Sequence, residues 1–215
     1  MKRIFAVLGV MVLACSANAN LLVNGGFEDG MTGWVKDAPF GNNQWDDPRE
    51  ANPFGLPFAP FEGQYMATAI SGWDTSRNGS VIYQKFYNPG TQPTTVVSFY
   101  GLAYNAFLGN PTSPYDTGVQ MGFDPTGGED LYSSNIVWSE EIWATNEWTN
   151  RTMTFDGLGA GYNTVFIRSI MKWGIEWNVS AADAVSVEVV PEPASLIALG
   201  SGLVGLAGLA RRKKA

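Results

Sequence analysis

Between residues 20 and 190 the chain consists of short runs rich in Val, Ile, Phe and Tyr, and turn-forming residues separate these runs. Asn78-Gly79 and Asn88-Pro89-Gly90 are two such turns, and the chain holds 25 Gly and 12 Pro. Outside the two ends, no stretch has the periodicity of a surface helix. We therefore expect about eight or nine short antiparallel strands in an all-β fold, most simply a β-sandwich of the jelly-roll type.

The last of these runs alternates most clearly, because Val185, Val187 and Val189 share one face of an extended strand. Pro, Phe, Asn and Asp are frequent between the runs, and residues 39–61, 105–116 and 124–130 are interpreted as loops. The expected strands cover residues 64–70, 80–87, 94–104, 118–123, 136–138, 151–155, 164–171 and 183–189.

The first 19 residues have the composition of a secretory signal peptide. Lys2 and Arg3 precede an apolar run over residues 4–14, and small residues then lead to a cleavage site after Ala19. A lipoprotein signal is the alternative, because the only cysteine, Cys15, follows the same apolar run. Ordinary cleavage is favoured, since the residue two places before the cysteine is Leu rather than a small residue.

The last 26 residues, 190–215, form a separate unit. Residues 194–210 carry no charge and are just long enough for one transmembrane helix, and a basic tail that begins with Arg211 and Arg212 follows at once. The basic cluster predicts a cytoplasmic C-terminus, so that the domain before it faces outward. Pro191, Glu192 and Pro193 precede the apolar run and favour an extended, accessible peptide.

This combination of Pro-Glu-Pro, a short apolar span and a terminal basic cluster resembles the PEP-CTERM protein-sorting signal. The resemblance implies processing near Pro191-Glu192-Pro193 by an exosortase-type membrane protease. It also implies a chain that is exported, transiently anchored in the inner membrane and then placed at the cell surface or outside the cell. An ordinary single-span anchor is the alternative interpretation. With both ends set apart, residues 20–189 form one β-sandwich domain between the signal peptide and the sorting signal.

The charge balance limits the partners of this domain. The whole chain has 13 basic and 20 acidic residues, and the two ends contain six of the basic residues and one of the acidic ones. Residues 20–190 therefore carry 7 basic and 19 acidic residues, a net charge of −12. Such a domain repels nucleic acid but is compatible with neutral glycans, cationic partners or divalent metal ions. The chain contains no His, which excludes a Ser-His-Asp triad and zinc sites built on His.

The opening of the domain, Asn20 to Glu28 followed by Gly33-Trp34, resembles the first strand of galactose-binding-like jelly rolls, which include several carbohydrate-binding modules. Three further segments are similar to later parts of that fold and share its pattern of buried and polar residues. They are residues 62–65, 82–86 with an inward Gln, and 183–187 as the closing strand.

The same resemblance implies a structural calcium site between the first and last strands. Glu28 and Asp183 match the positions of its carboxylates, and carbonyl groups near Asn24 and Gly63 would complete it. The family often has two adjacent acids at the start of its last strand, whereas here Ala184 follows Asp183. The alternative is that the two acids cap turns or pair with Arg.

The eight Trp residues raise the question of glycan binding, because flat aromatic rings stack on pyranose sugars. Trp45 and Trp73 have the amide-rich or acidic neighbours that such a platform needs, and both are candidates. Trp34 is expected in the core.

The sequence thus predicts a non-enzymatic component of the extracellular polysaccharide matrix, as in a biofilm. A dedicated glycan-binding module is the first alternative. A polysaccharide hydrolase or lyase is the second, with Glu140-Glu141 as its only conspicuous pair of carboxyl groups.

Overall fold

The computed structural model describes residues 20–38, 44–48, 58–90, 93–105, 115–174 and 177–190. Within these ranges the chain forms strands and no helix, which confirms the all-β prediction. The strands are β1 Val35–Asp37, β2 Ala67–Ser71, β3 Val81–Asn88, β4 Thr94–Asn105, β5 Thr117–Asp124, β6 Val137–Trp138, β7 Ile142–Trp143, β8 Thr149–Asp156, β9 Gly161–Met171 and β10 Asn178–Val190.

The strands pair into two antiparallel sheets. The first has six strands in the order β1-β3-β9-β5-β6, with β7 also paired to β5, and the second has four in the order β2-β10-β4-β8. β9 lies between β3 and β5, and β10 lies between β2 and β4, so the two longest late strands are central in their sheets. Because partners such as β3 and β9 are far apart in sequence, most strand pairing is non-local.

The core lies between the two sheets, and alternation along each strand explains its composition. Ile82 and Phe86 of β3 face it from one sheet, and Val97 and Phe99 of β4 face it from the other. Trp34 is buried in the same cluster, as the sequence predicted. On the opposite face of β3 and β9, Val81 and Phe166 are buried with Ile136 in a smaller cluster, against which Tyr83 and Trp138 pack. Lys85, Tyr87 and Tyr162 remain on the molecular surface.

Residues 20–33, expected to open with a strand, form a series of turns instead. Asn24 and Phe27 both have positive φ, which is incompatible with an extended strand. The segment is nevertheless attached to the last strand: Leu21 donates its amide to the Val187 carbonyl at 2.8 Å, and Val185 donates to the Gly25 carbonyl at 2.9 Å. The expected link between the two ends of the domain exists, but without a regular first strand.

The last strand is longer than its alternating pattern suggested, because it begins at Asn178 rather than Asp183. An irregularity between Asp183 and Ser186 shifts its register against β4, and Ala184 there has φ of 47°. The strand remains paired to its end, where Val190 lies opposite Thr94.

Two short strands, β1 and β7, were not expected, because two or three residues are too few to show a period. The signal peptide and the apolar run at 194–210 both lie outside the described residues. Among the residues that the structure describes, no helix is long and apolar enough to cross a membrane.

Candidate functional site

The outer face of the six-stranded sheet carries a row of aromatic and polar side chains. Alternation along β3 turns Ile82, Gln84 and Phe86 inward and leaves the residues between them on the outside. Side chains also point to alternate faces along β5 and β9. Side chains from three neighbouring strands therefore meet on one face. We call this set the aromatic face; it consists of Tyr83, Lys85, Tyr87, Gln120, Trp138, Tyr162 and Arg168.

Tyr87 and Tyr162 form the exposed end of the aromatic face. They are directly opposite in the β3–β9 register, with ring centroids 5.5 Å apart and planes at 74°. They are 56% and 58% exposed, so one ring surface or edge of each remains open to solvent. The Lys85 ammonium lies 5.5 Å from the Tyr162 ring centre and adds a hydrogen-bond donor beside the pair.

Glu129, from the loop after β5, reaches over the middle of the aromatic face. Its carboxylate accepts a hydrogen bond from Lys85 Nζ at 2.9 Å and one from the Tyr83 hydroxyl at 3.3 Å. The hydrogen bond from Lys85 lowers the pKa of Glu129, which keeps the carboxylate ionised. Burial, and then the Glu129 charge, raise the pKa of Tyr83, so its hydroxyl stays protonated and available as a donor.

Arg168, Trp138 and Gln120 form the other end of the aromatic face. The Arg168 guanidinium lies 4.1 Å from the Trp138 ring centre and donates a hydrogen bond to Gln120 Oε1. Burial lowers the pKa of Arg168, and the nearby Glu141 carboxylate opposes that shift. Trp138 lies against Gly122, where a Cβ would be 2.8 Å from the indole ring, so a residue without a side chain is needed there.

This arrangement can bind a ligand that offers both an apolar surface and many hydroxyl groups. The exposed Tyr87 and Tyr162 rings supply flat apolar surfaces, and Lys85 and Glu129 supply a donor and an acceptor beside them. Gln120 is buried and bonded to Ser139 and Arg168, and Trp138 is covered by Arg168, so these residues support the face from below. A sugar ring has axial C–H groups that stack on aromatic rings and equatorial hydroxyls that hydrogen-bond at its rim. The aromatic face is therefore chemically suited to a glycan chain.

A second aromatic surface lies at one end of the sandwich, in the loops after β2 and β9. Trp73 and Trp173 are 68% and 67% exposed, and we call this pair the aromatic tip. The two loops touch, because a Cβ on Gly174 would lie only 2.6 Å from the Trp73 carbonyl oxygen. The structure thus brings the loop that carries the candidate Trp73 into contact with the loop that carries Trp173.

Trp45, the other predicted platform, is a core residue, and that prediction is wrong. Its indole is 2% exposed, belongs to the main core cluster, and donates from Nε1 to the Ser80 carbonyl at 3.0 Å. A sugar cannot stack on a ring that is already covered on both faces. The polar neighbours that suggested a platform include Asp46, whose carboxylate instead pairs with Arg77 at 2.8 Å.

Three of the four candidate calcium residues, Glu28, Gly63 and Asp183, meet at one loop, residues 61–65. Glu28 Oε1 accepts hydrogen bonds from the amides of Gln64 and Tyr65 at 2.9 and 3.0 Å. Gly63 packs directly on that carboxylate, since a Cβ there would lie 2.2 Å from the same oxygen. The Asn24 carbonyl accepts a hydrogen bond from the Trp34 indole at 3.0 Å.

Asp183 is completely buried and holds the other side of the same loop. Its carboxylate accepts from the Glu62 amide at 3.1 Å and from the Ala184 amide at 2.7 Å. Burial raises the pKa of Asp183 to about 6, although these amide hydrogen bonds act in the opposite direction. In the part of the chain described by the structure, no three acidic, His or Cys side chains form a metal-binding group by themselves.

Glu140 and Glu141 lie in the segment between β6 and β7. The Glu140 side chain is almost fully exposed, 4.0 Å from Arg151, while Glu141 acts on the charge of Arg168. The two carboxyl groups therefore interact with different residues.

The aromatic face was missed because its residues come from strands distant in sequence. One part was recognisable, since Tyr83, Lys85 and Tyr87 alternate with buried residues in a predicted strand. Tyr162, Arg168 and Trp138 join them only through pairing of β3 with β9 and of β5 with β6.

Comparison with known proteins adds two findings. A family model of the PEP-CTERM protein-sorting motif matches residues 189–214, while a comparison with curated protein sequences finds no match. The K3 cleaved adhesin domain of Lys-gingipain from Porphyromonas gingivalis has a similar structure, with a TM-score of 0.53 and 20% identity over 80% of this chain and 99% of that chain.

Two carbohydrate-binding modules are similar at lower scores. Family 16 Carbohydrate Binding Module-2 has a TM-score of 0.45 and 18% identity, covering 78% of this chain and 99% of that chain. The CBM22-1 xylan-binding domain from Paenibacillus barcinonensis Xyn10C has a TM-score of 0.46 and 13% identity, covering 83% and 99%. The chain therefore carries a PEP-CTERM sorting motif directly after an all-β sandwich whose fold is similar to that of the K3 adhesin domain.

Proposed function

We propose that this chain is an exported surface protein that binds neutral polysaccharide chains along the aromatic face and so becomes part of the extracellular matrix. The PEP-CTERM motif indicates export and sorting to the cell surface. The observation that carries the binding proposal is the exposed Tyr87–Tyr162 pair beside Lys85 and Glu129.

The charge of the domain supports a neutral ligand. A net charge of −12 over residues 20–190 repels polyanions such as alginate, while a neutral chain carries no such penalty. One similar structure is a xylan-binding domain and another is a cellulose-binding domain, which makes neutral β-linked chains the first class to test. We propose binding without catalysis, because Glu129, the acid that lies over the aromatic face, is paired with Lys85.

The test is affinity electrophoresis of the full-length protein in gels that contain arabinoxylan, hydroxyethylcellulose or alginate. We expect retardation by at least one neutral polymer and none by alginate. Tyr162→Ala combined with Tyr87→Ala should weaken retardation by about tenfold, because two stacking surfaces are lost. Tyr162→Phe keeps the ring and should bind nearly as the wild type does.

Tyr132→Ala is the matched control, because Tyr132 is also an exposed tyrosine but belongs to the loop after β5. If the double variant migrates like the wild type in every gel, the aromatic face is not the binding site. If no neutral polymer retards the wild type, the glycan-binding proposal is wrong and only a matrix role without glycan binding is left.

A structural calcium ion between Glu28 and Asp183 is part of the same proposal. The support is the space over Gly26, where a Cβ would lie 3.5 Å from Glu62 Oε1, 3.9 Å from Asp183 Oδ1 and 4.0 Å from Glu28 Cγ. Three acidic side chains thus border one small region, and backbone carbonyls would supply the remaining oxygen ligands. The ion would offset the burial of the Asp183 charge and fasten residues 20–33 to β10.

A further inference from the structure

The aromatic tip is the most exposed large apolar surface of the described part of the chain. Trp73 and Trp173 each leave about two thirds of the side chain in water, which is costly for residues of this size. Asp74 follows Trp73 in the chain and Lys172 precedes Trp173; the Asp74 carboxylate accepts from the Ser76 amide, and the Lys172 ammonium lies over the Trp143 ring. Exposed rings with polar groups at their rim repeat the chemistry of the aromatic face at a different place.

The loops of the aromatic tip are held in place by hydrogen bonds. Asn178 Nδ2 donates to the Trp173 carbonyl at 2.8 Å, and the Ser71 hydroxyl donates to the Asp74 carbonyl at 3.0 Å. Trp73 has φ of 58°, a conformation that side-chain-bearing residues rarely adopt and that tends to occur at functional sites. Both rings are therefore presented by ordered backbone rather than by a free loop.

The aromatic tip is well separated from the Tyr87–Tyr162 pair. Tyr162 is near the start of β9 and Trp173 follows its end, so the 11 residues of that strand separate them by about 35 Å. The tip also lies at the end of the domain opposite the sorting motif. β10 begins beside Ser71 at the tip and ends at Val190, next to the matched motif.

We infer that the aromatic tip is a second polysaccharide-binding site and that the domain bridges two neutral glycan chains. The inference rests on the proposed function for the chemistry of the ligand, but it concerns different residues. A lipid surface fits the tip less well, because the domain is strongly acidic and Lys172 lies over the Trp143 ring, 4.2 Å from its centre.

The test measures capture of a second chain. Full-length protein is bound to a surface coated with arabinoxylan or hydroxyethylcellulose, and the same polymer carrying a fluorescent label is then added. The wild type should retain the labelled polymer. Trp73→Ala combined with Trp173→Ala should bind the coated surface through the aromatic face but retain at least about tenfold less labelled polymer.

The reciprocal variant, Tyr87→Ala with Tyr162→Ala, should also bind the surface and fail to bridge, because either site alone holds one chain. Tyr132→Ala should bridge like the wild type. Melting curves of all variants confirm that they are folded, which is expected because the substituted rings are exposed.

The outcomes separate the two proposals. If the tip variant bridges as well as the wild type, the second site is wrong and the aromatic face stands. If the tip variant loses all surface binding while the face variant loses none, the tip is the sole site and the proposed function of the face is wrong. If the wild type ignores both polymers, or binds vesicles of phosphatidylcholine and phosphatidylglycerol instead, both glycan proposals fail.

Discussion

At the scale of single residues, burial separates core tryptophans from surface tryptophans, whereas the composition of the neighbouring sequence does not. Trp45 and Trp73 both have polar neighbours in sequence, yet one fills the core and the other is among the most exposed side chains. The residues next to a Trp in the sequence indicate that it lies in a loop. Whether the Trp is buried depends on which strands pack over that loop. The sequence could therefore nominate Trp residues for a glycan site but could not rank them.

The two residues should respond oppositely to truncation. Trp45→Ala should lower the free energy of unfolding by about 3–5 kcal/mol, because it opens a cavity in the core and removes an indole hydrogen bond. Trp73→Ala should change it by no more than about 0.5 kcal/mol, because the ring is in solvent. Urea denaturation of both variants measures this, and a similar loss in the two would contradict the burial difference.

Asp183 makes stability depend on pH. Its pKa of about 6 in the folded state exceeds its ordinary value of 3.8, so the folded protein binds the proton more tightly than the unfolded chain does. The free energy of unfolding should therefore fall as pH rises from about 4 to about 6, by up to about 3 kcal/mol from this group. Denaturation curves across this range in a chelator should show a shallower fall for Asp183→Asn than for the wild type.

Calcium should reverse that dependence if it binds beside Asp183. The ion favours the ionised carboxylate, so added calcium should raise the melting temperature above pH 6 and have little effect near pH 4. Asp183→Asn should remove the response. Identical melting curves with calcium and with chelator at both pH values would reject the ion and leave Glu28 and Asp183 as acceptors for the amides of residues 61–65.

At the scale of elements, the alternation of side chains between two faces predicted the long strands. It did not predict the short strands β1 and β7, nor the conformation of residues 20–33, which depends on long-range contacts. β3, β4, β5 and β8 were recognised within a few residues of their ends; exposure alternates along β3, β4 and β8, whereas every residue of β5 is buried. Residues 20–33 were taken for a strand on resemblance, but amide contacts to β10 and positive φ angles decide their conformation. Such long-range contacts leave no local pattern in the sequence.

Adding one methyl group at Gly63, in the loop at residues 61–65, should lower the free energy of unfolding unusually strongly. Gly63 and Gly30 have nearly the same φ, 63° and 58°. A Cβ added at Gly63 would contact the Glu28 carboxylate, whereas a Cβ added at Gly30 would have no atom within 4 Å. Gly30→Ala should cost about 1–3 kcal/mol from backbone strain alone. Gly63→Ala should cost clearly more, because the new methyl displaces Glu28 from two amides.

A double-mutant cycle tests this cause. In a Glu28→Ala background, Gly63→Ala should cost about as much as Gly30→Ala, since the clashing carboxylate is absent. An undiminished cost in that background would show that the Glu28 contact is not responsible.

At the scale of the whole molecule, the termini and the domain were predictable to different degrees. The sorting signal is a local sequence pattern, and the family model places it where the sequence did. The aromatic face is a product of strand order, because β3, β9, β5 and β6 meet only after the sheet forms. Fold class could be predicted from the spacing of turns, but the site could not.

The processed form of the chain provides a test of the termini. If both predicted processing steps occur, the protein outside the cell begins at Asn20 and ends near Pro191-Glu192-Pro193. Intact-mass measurement of protein from producing cells should show a chain without residues 1–19 and without the basic tail. Recovery of a form that still contains Arg211 and Arg212 would favour a plain membrane anchor.

The position of β10 has a mechanical consequence. One end of this strand leads into the sorting motif, and the other leads from the loop that carries Trp173. A pull between the cell and a glycan held at the tip would run along the strand, at right angles to its hydrogen bonds with β2 and β4. Those bonds would be loaded in shear, all at once, rather than peeled apart one after another, so the tether would resist force through its longest strand, which is paired on both sides.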